Sequence, residues 1–180
     1  MTDNRVRDPI YGYIRVRDIE REILDTKWMQ RLRRISQLST TSLVYPGATH
    51  TRFSHSLGVM HIAGKIGESI GLSDDMIQML RISGLVHDIG HGPFSHTSDR
   101  VAMKNGYSHE QNSCEIIENK IGHLLPEKVD MEKIKSQIKG EAAVNIISGD
   151  VDADKIDYLN RDSKNIGIEH GTIDYRTIIE

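Results

Sequence analysis

The chain has 180 residues, of which 37% are hydrophobic and 27% charged, and its formal net charge is −3. These values predict one globular domain over residues 1–180 and give no indication of nucleic-acid binding. No apolar run approaches the roughly 20 residues of a membrane span, the start MTDNRVRDP is too polar for a secretory leader, and the single Cys114 excludes an internal disulfide. We therefore expect a cytoplasmic protein that does not bind membranes.

The N-terminal part predicts a short strand followed by a helix. Residues 10–17 alternate apolar and polar side chains, which is typical of a strand or hairpin arm. Asp18 can then cap a helix whose apolar positions recur at helical spacing from Ile19 to Ile35. The segment STTSLVYPGATHTRFSH that comes next is predicted to be mainly a loop.

Two central helices have clear boundary signals. The first should begin near His55 and run to Ile70, where Gly71 ends it. Ser73, followed by two acids, is a typical N-cap for a second helix that should end between His87 and Gly92.

The C-terminal half continues the helical pattern, and the four prolines fall outside the long periodic segments. Further helices are predicted from Ser108 to about Ile121, from Asp130 to Lys139, from Glu141 to Ile147 and from Asp152 to about Lys164. The chain is therefore expected to be almost entirely α-helical.

The most informative motif is GLVHDIGHGPFSH, in which an apolar helix presents His87 and Asp88 side by side. Gly90, Gly92 and Pro93 then break the helix. Because a helix end lets both side chains point inward, the histidine nitrogen and the carboxylate oxygen can bind the same metal ion. By itself, a His-Asp dipeptide is more often an ordinary polar helix end.

Two further ligands would complete a metal site with open positions for water and substrate. His55 and Asp154 are the candidates, each at the start of a predicted helix. Nitrogen and oxygen ligands together suit one divalent ion of manganese, iron, magnesium, zinc or nickel. A group of nearby titratable residues favours a catalytic cluster over a purely structural explanation: His91, His96, Asp99, His109 and Glu110.

The order His55, His87-Asp88, Asp154 resembles the H…HD…D signature of the HD-domain superfamily of metal-dependent phosphohydrolases. The phrases DPIYGYI, DTKWMQRLRRISQL, YPGATHTRFSHSLGV, GLVHDIGHGPFSH, SHEQ and DVDADKIDYLNRDSKNIGI are similar to successive motifs of its deoxynucleoside triphosphate triphosphohydrolase branch. The resemblance implies an all-α HD-domain helical bundle with a short N-terminal strand or hairpin. It also implies cleavage of deoxynucleoside triphosphates to deoxynucleoside and triphosphate by a homo-oligomer.

The resemblance further implies roles for individual residues. The metal ligands would be His55, His87, Asp88 and Asp154. The residues at the scissile phosphate would be His96 and His109, with His91 and Arg52 in contact with phosphate. The residues near the sugar would be Gln37 and Leu38, and those lining the nucleotide would be Lys155, Tyr158 and Asp162.

These roles agree with the chemistry of phosphate hydrolysis. A divalent cation acidifies water enough for attack on phosphorus and neutralises charge on the phosphate oxygens. His96 or His109 can protonate the leaving oxygen, since the ordinary histidine pKa of about 6.5 is close to working pH. Asp99 or Glu110 could orient that histidine or raise its pKa.

A regulatory site is a second implication of the resemblance. Asp25, Gln30 and Arg33 match positions that, in the vertebrate member of the branch, bind an activating guanine nucleotide at a subunit interface. The alternative is a solvated helix face with an i,i+3 side-chain pair.

The chain departs from the branch at its end. Members commonly continue well beyond the last Asp motif, whereas this sequence stops at Glu180. We expect a natural minimal form or an N-terminal fragment that lacks one wall of the nucleotide pocket. A 5′-nucleotidase or phosphodiesterase would use the same metal centre, and a non-catalytic nucleotide- or nucleic-acid-binding domain is suggested by the basic run Arg31–Arg34.

Overall fold

The computed structural model describes residues 4–94, 103–104 and 106–180. Within these ranges the chain is mainly helical and begins with an antiparallel hairpin, in which Asp8 lies opposite Gly12. Strand β1 spans Arg5–Asp8 and strand β2 spans Gly12–Arg15. The predicted all-α class with a short N-terminal hairpin is therefore confirmed. None of the described helices is long and apolar enough to cross a lipid bilayer.

The segment after the hairpin is broken into short helices. They are α1 at Asp18–Leu24, α2 at Lys27–Gln30 and a 3₁₀ turn at Arg31–Arg34. The prediction of one helix from Ile19 to Ile35 is wrong. The Thr26 hydroxyl donates to the carbonyl of Ile23 at 2.8 Å and accepts from the amide of Met29 at 3.3 Å, so one side chain ends α1 and begins α2.

The two central helices follow their sequence signals closely. Helix α3 covers Arg52–Ser69, and helix α4 covers Asp74–Val86. Gly71 adopts a positive φ of 72° after α3, and the Ser73 hydroxyl accepts from the amide of Met76 at the start of α4. Helix α3 begins earlier than expected, because Thr51 caps it and accepts from the amide of Ser54.

The C-terminal half contains four more helices within the described ranges. They are α5 at His109–Ile116, which continues through a widened turn at Ile117–Ile121, then α6 at Met131–Lys139, α7 at Ala153–Ile166 and α8 at Tyr175–Ile179. The predicted helix from Glu141 to Ile147 is wrong, because this segment is irregular. There the Gln137 side chain donates to the Val144 carbonyl and accepts from the Ile146 amide, so it replaces helical hydrogen bonds.

An apolar cluster of the described residues lies between α3, α4 and the surrounding helices. Its fully buried members include Met29, Leu32, Val59, Met60, Ile62, Ile82, Leu85, Val86, Ile89, Ile117, Ile134 and Ile147. One ion pair is buried beside it, where Arg81 of α4 donates to both carboxylate oxygens of Glu20 at 2.6 and 2.7 Å. This pair fixes α1 against the helix that leads into the His-Asp motif.

Candidate active site

The ends of α3, α4, α5 and α7 meet at a cavity of about 910 Å³. Most of the predicted site residues line it, namely Gln37, Leu38, Arg52, His55, His87, Asp88, His91, His109, Glu110, Asp154, Lys155, Tyr158 and Asp162. His96 and Asp99 lie outside the described residues. The cavity is therefore lined by chain segments that are far apart in sequence.

His55 is held between two carboxylates in the first turn of α3. Its Nε2 lies 3.0 Å from Asp154 Oδ1, and its Nδ1 lies 2.8 Å from Asp157 Oδ2, while the side chain is only 1% exposed. Burial alone would lower the pKa of His55, but the hydrogen bonds to Asp154 and Asp157 raise it to about 10. The pocket around this ring therefore favours positive charge.

His87 presents a buried nitrogen that has no hydrogen bond within the described part of the chain. Its Nδ1 lies 2.8 Å from the carbonyl oxygen of Gly84, which can only accept, so Nδ1 carries the proton. In the neutral ring Nε2 then carries a lone pair, and this buried atom makes no hydrogen bond. A lone pair in this position suits a metal ligand.

Nitrogen and carboxylate atoms of His55, His87 and Asp154 all lie within 4.8 Å of one another. One bound cation could be reached by all three, and the mixed donor set fits a divalent metal. The orphaned Nε2 of His87 supports this fit, because a cation would satisfy it.

Asp88 lies beside this trio but is also engaged elsewhere. Its Oδ2 accepts from Nη1 of Arg52 and lies 3.8 Å from His55 Nε2, whereas its Oδ1 lies 3.4 Å from His87 Nε2. Burial alone would raise the pKa of Asp88, but the neighbouring His87 ring and the Arg52 guanidinium lower it well below its usual range. The carboxylate is therefore ionised and within reach of the same cation.

His91 and His109 form a stacked pair at the cavity wall. Their ring centroids are 3.9 Å apart with an angle of 18° between the planes. His91 Nε2 lies 3.3 Å from Asp88 Oδ1, and His109 Nε2 lies 3.2 Å from Glu110 Oε1. Each of the two imidazoles lies beside a carboxylate, so the site contains groups that can donate or accept protons.

Helix α5 is hydrogen-bonded to the loop that carries the His-Asp motif. Ser113 Oγ donates to the His87 carbonyl at 2.7 Å and accepts from the Gly90 amide at 2.9 Å. A Cβ at position 90 would lie 2.4 Å from the Ser113 amide nitrogen and the His109 carbonyl oxygen. Only glycine permits this approach, which brings His109 onto His91.

Lys155 has a partner inside the protein. Its ammonium lies 2.8 Å from Asp152 Oδ2 and also contacts the Gly149 carbonyl. Tyr158 of the same helix lines the cavity, as do Gln37 and the neighbouring Leu38. The residues expected to surround a nucleotide are thus brought together, but the Lys155 charge is already balanced.

The predicted regulatory residues lie outside the cavity lining. Arg33 Nε donates to Gln30 Oε1 at 2.9 Å, and Gln30 Nε2 donates to the Leu24 carbonyl at 2.8 Å. Asp25 is exposed at the break between α1 and α2. The i,i+3 pair expected for a solvated helix face is therefore present, and the guanine-nucleotide site stays a prediction.

Sequence reasoning missed a buried charge network behind the metal cluster. Arg161 donates to both oxygens of Asp157 at 2.8 and 2.9 Å and to Asp8 of the hairpin at 2.9 Å. The i,i+3 spacing of Asp154 and Asp157 on one helix face was an available signal. His50, which contacts Asp162, was also missed, since it lies in a segment predicted to be a loop.

Known proteins share much of this sequence and fold. A model of the HD domain family matches residues 52–162. An uncharacterized protein from Methanocaldococcus jannaschii is 46% identical over 175 residues, which cover 97% of this chain and 36% of that protein. A Dictyostelium discoideum protein named deoxynucleoside triphosphate triphosphohydrolase SAMHD1 homolog is 37% identical over 186 residues, which cover 90% of this chain and 36% of that protein.

A crystal structure of a hypothetical protein from Aquifex aeolicus has a TM-score of 0.87 at 35% identity and covers 97% of this chain and 50% of its own. The chain thus spans about half or less of the length of the relatives it matches. The matched region includes His55, His87, Asp88 and Asp154 and makes up more than half of the chain. The chain therefore belongs to the HD domain family.

Proposed function

We propose that the chain is a metal-dependent phosphohydrolase that cleaves deoxynucleoside triphosphates to deoxynucleoside and triphosphate. The observation that carries the proposal is the buried, unsatisfied Nε2 of His87, which lies with His55 and Asp154 at the wall of a large cavity. The likeness to a relative named as a triphosphohydrolase supports the choice of substrate.

The proposed ligands of one divalent ion are His55, His87, Asp88 and Asp154. Manganese, iron, magnesium, zinc and nickel are all compatible with these donors. When bound, such an ion supplies Lewis acidity, which makes water a better nucleophile and neutralises charge on phosphate oxygens.

The surrounding residues would bind the substrate and move protons. Arg52 lies beside Asp88 and could present its remaining N–H groups to a phosphate. His109 is partly exposed at the cavity and is oriented by Glu110, so it can donate a proton to the leaving oxygen. His96 and Asp99 keep the catalytic roles that the sequence predicts.

A second candidate function is a 5′-nucleotidase or phosphodiesterase. It is favoured by the charge balance of the cavity, because Arg52 is paired with Asp88 and Lys155 with Asp152. Less positive charge then remains for a triphosphate than for a monoester or diester.

The test is product analysis by ion-exchange chromatography with purified chain, each of the five metals, and a panel of nucleoside mono-, di- and triphosphates and nucleotide phosphodiesters. We expect inorganic triphosphate and deoxynucleoside. Cleavage of monophosphates or diesters alone would show that the second candidate is correct. Nucleotide binding without turnover under any metal would show a binding domain.

Homo-oligomeric assembly is tested by light scattering on the same preparations, with and without guanine nucleotide.

A further inference from the structure

His50 and Asp162 form a partly buried pair, of which Asp162 lines the cavity. Nε2 of His50 lies 2.6 Å from Oδ1 of Asp162, and the two side chains are 5% and 19% exposed. His50 lies just before α3, whereas Asp162 lies in α7. The pair therefore joins two of the segments that surround the cavity.

The hydrogen-bond pattern fixes which nitrogen of His50 carries the proton. A carboxylate can only accept, so Nε2 donates to Asp162. Nδ1 is buried and makes no hydrogen bond within the described part of the chain. The bond to Asp162 therefore uses the Nε2–H group of His50, and Nδ1 takes no part in it.

The backbone around His50 is held in place by the segment that lines the cavity. The His50 carbonyl accepts from the Gln37 amide at 3.0 Å, and the Arg52 amide donates to the Ile35 carbonyl at 2.9 Å. Between these bonds Ser36 and Thr51 form an antiparallel bridge. The backbone that carries the imidazole is thus held by main-chain hydrogen bonds to residues 35–37.

Asp162 retains acceptor capacity after this bond is made. Its Oδ1 is bonded to His50, whereas its Oδ2 makes no hydrogen bond within the described residues. The residue lines the cavity beside Gln37 and Tyr158. A donor group on a bound ligand would complete the hydrogen bonding of this carboxylate.

We infer that His50 is a positioning residue, which holds Asp162 so that its second oxygen accepts a hydrogen bond from a donor group of the bound nucleotide. The inference rests on the proposed function, since it requires that a nucleotide occupy this cavity. For deoxyadenosine triphosphate the donor is the 3′-hydroxyl or the exocyclic amino group of adenine, because these are the uncharged donors that this nucleotide offers.

The experiment compares His50→Phe with His50→Gln in the full chain. Phenylalanine keeps a planar ring but has no N–H, whereas the glutamine amide nitrogen can take the place of Nε2. We expect KM for deoxyadenosine triphosphate to rise about tenfold in His50→Phe with kcat little changed, as for the loss of one hydrogen bond. His50→Gln should restore KM to within about threefold of the original chain.

Substrate analogues identify the donor. If it is the 3′-hydroxyl, the KM ratio of His50→Phe to the original chain falls to about one for 2′,3′-dideoxyadenosine triphosphate, because the penalty is lost with the hydroxyl. If it is the adenine amino group, the ratio falls to about one instead for the triphosphate of purine 2′-deoxyriboside, which lacks only that group. Either result supports the inference, and an unchanged KM, or one equally raised for all three nucleotides, overturns it.

Folding and activity are controlled separately. Thermal melting and Mn²⁺ affinity by calorimetry should match between His50→Phe and the original chain. If His50→Phe does not fold, Asp162→Asn takes its place and must show the same substrate pattern. If the original chain binds nucleotides without cleaving them, the proposed activity is wrong, and dissociation constants replace KM in the same comparison. A chain that binds no nucleotide overturns both.

Discussion

Asp157 Oδ2 lies 2.8 Å from His55 Nδ1, and the carboxylate is completely buried. This contact orients the ring so that its Nε2 faces Asp154 and His87. Arg161 and Asp8 extend the contact to the N-terminal hairpin. The position of the candidate metal ligand is therefore determined by residues that do not reach the cation themselves.

Replacing Asp157 should weaken metal binding although it is not a proposed ligand. We expect Asp157→Asn to lower Mn²⁺ affinity by about 10- to 100-fold, because outer carboxylates that orient a ligating histidine typically contribute this much. Isothermal calorimetry measures the effect, with the exposed Asp174→Asn as the control. A folded Asp157→Asn variant with unchanged affinity would show that the contact is only structural.

The proposed ligand set can be tested residue by residue. His87→Ala and Asp88→Asn should each lose bound metal, measured by elemental analysis after dialysis against a fixed concentration of free Mn²⁺. His87 contributes an otherwise unsatisfied nitrogen, whereas Asp88 also pairs with Arg52. If Asp88→Asn retained the full metal content while His87→Ala lost it, Asp88 would serve only to hold Arg52.

The buried ion pair between Glu20 and Arg81 should matter for stability and not for metal binding. Glu20→Ala leaves the Arg81 charge buried without its partner, and we expect a loss of about 3–5 kcal/mol in the free energy of unfolding. Urea denaturation measures this loss. The exposed Glu22→Ala on the same helix is the control and should change stability by less than about 0.5 kcal/mol.

His61 should make stability depend on pH in the acid range. Burial lowers its pKa to about 4, with further contributions from the charges of Arg81 and Lys65. Between pH 4 and the ordinary value of about 6.5 the unfolded chain binds more protons at this residue than the folded chain. Stability therefore falls as the pH falls through this window.

The matched variant isolates this effect from other titrating groups. When the pH is lowered from 7 to 4, the free energy of unfolding should fall by about 2 kcal/mol less in His61→Gln than in the original chain, after allowance for partial solvent exposure. Urea midpoints at each pH measure the difference, with the exposed His170→Gln as the control. Parallel curves for His61→Gln and the original chain would contradict the lowered pKa.

Much of the helical architecture was predictable, because its signals are local. Ser73 and Gly71 mark helix ends through backbone geometry, and both act as expected. The break at Thr26 and the irregular segment around Asn145 were not predicted, since side chains there compete with helical hydrogen bonds. Apolar spacing alone cannot reveal such competition.

The candidate site was predictable as a set of residue types but not as a network. His87 and Asp88 are adjacent in sequence, and His55 and Asp154 each stand at the start of a predicted helix. The histidines have partners that are distant in sequence. Asp157 contacts His55, and Asp162 contacts His50. Only the folded chain shows which carboxylate supports which imidazole.

Gly58 lies in α3 on the side that faces the Asp157–Arg161 pair. A Cβ at position 58 would lie 1.8 Å from Asp157 Oδ1 and 2.5 Å from Arg161 Nη2, so any larger residue must displace these side chains. The displaced Asp157 would no longer hold the His55 ring. An inactivating substitution found at Gly58 would therefore resemble the loss of a metal ligand, and added Mn²⁺ should restore part of the activity of such a variant.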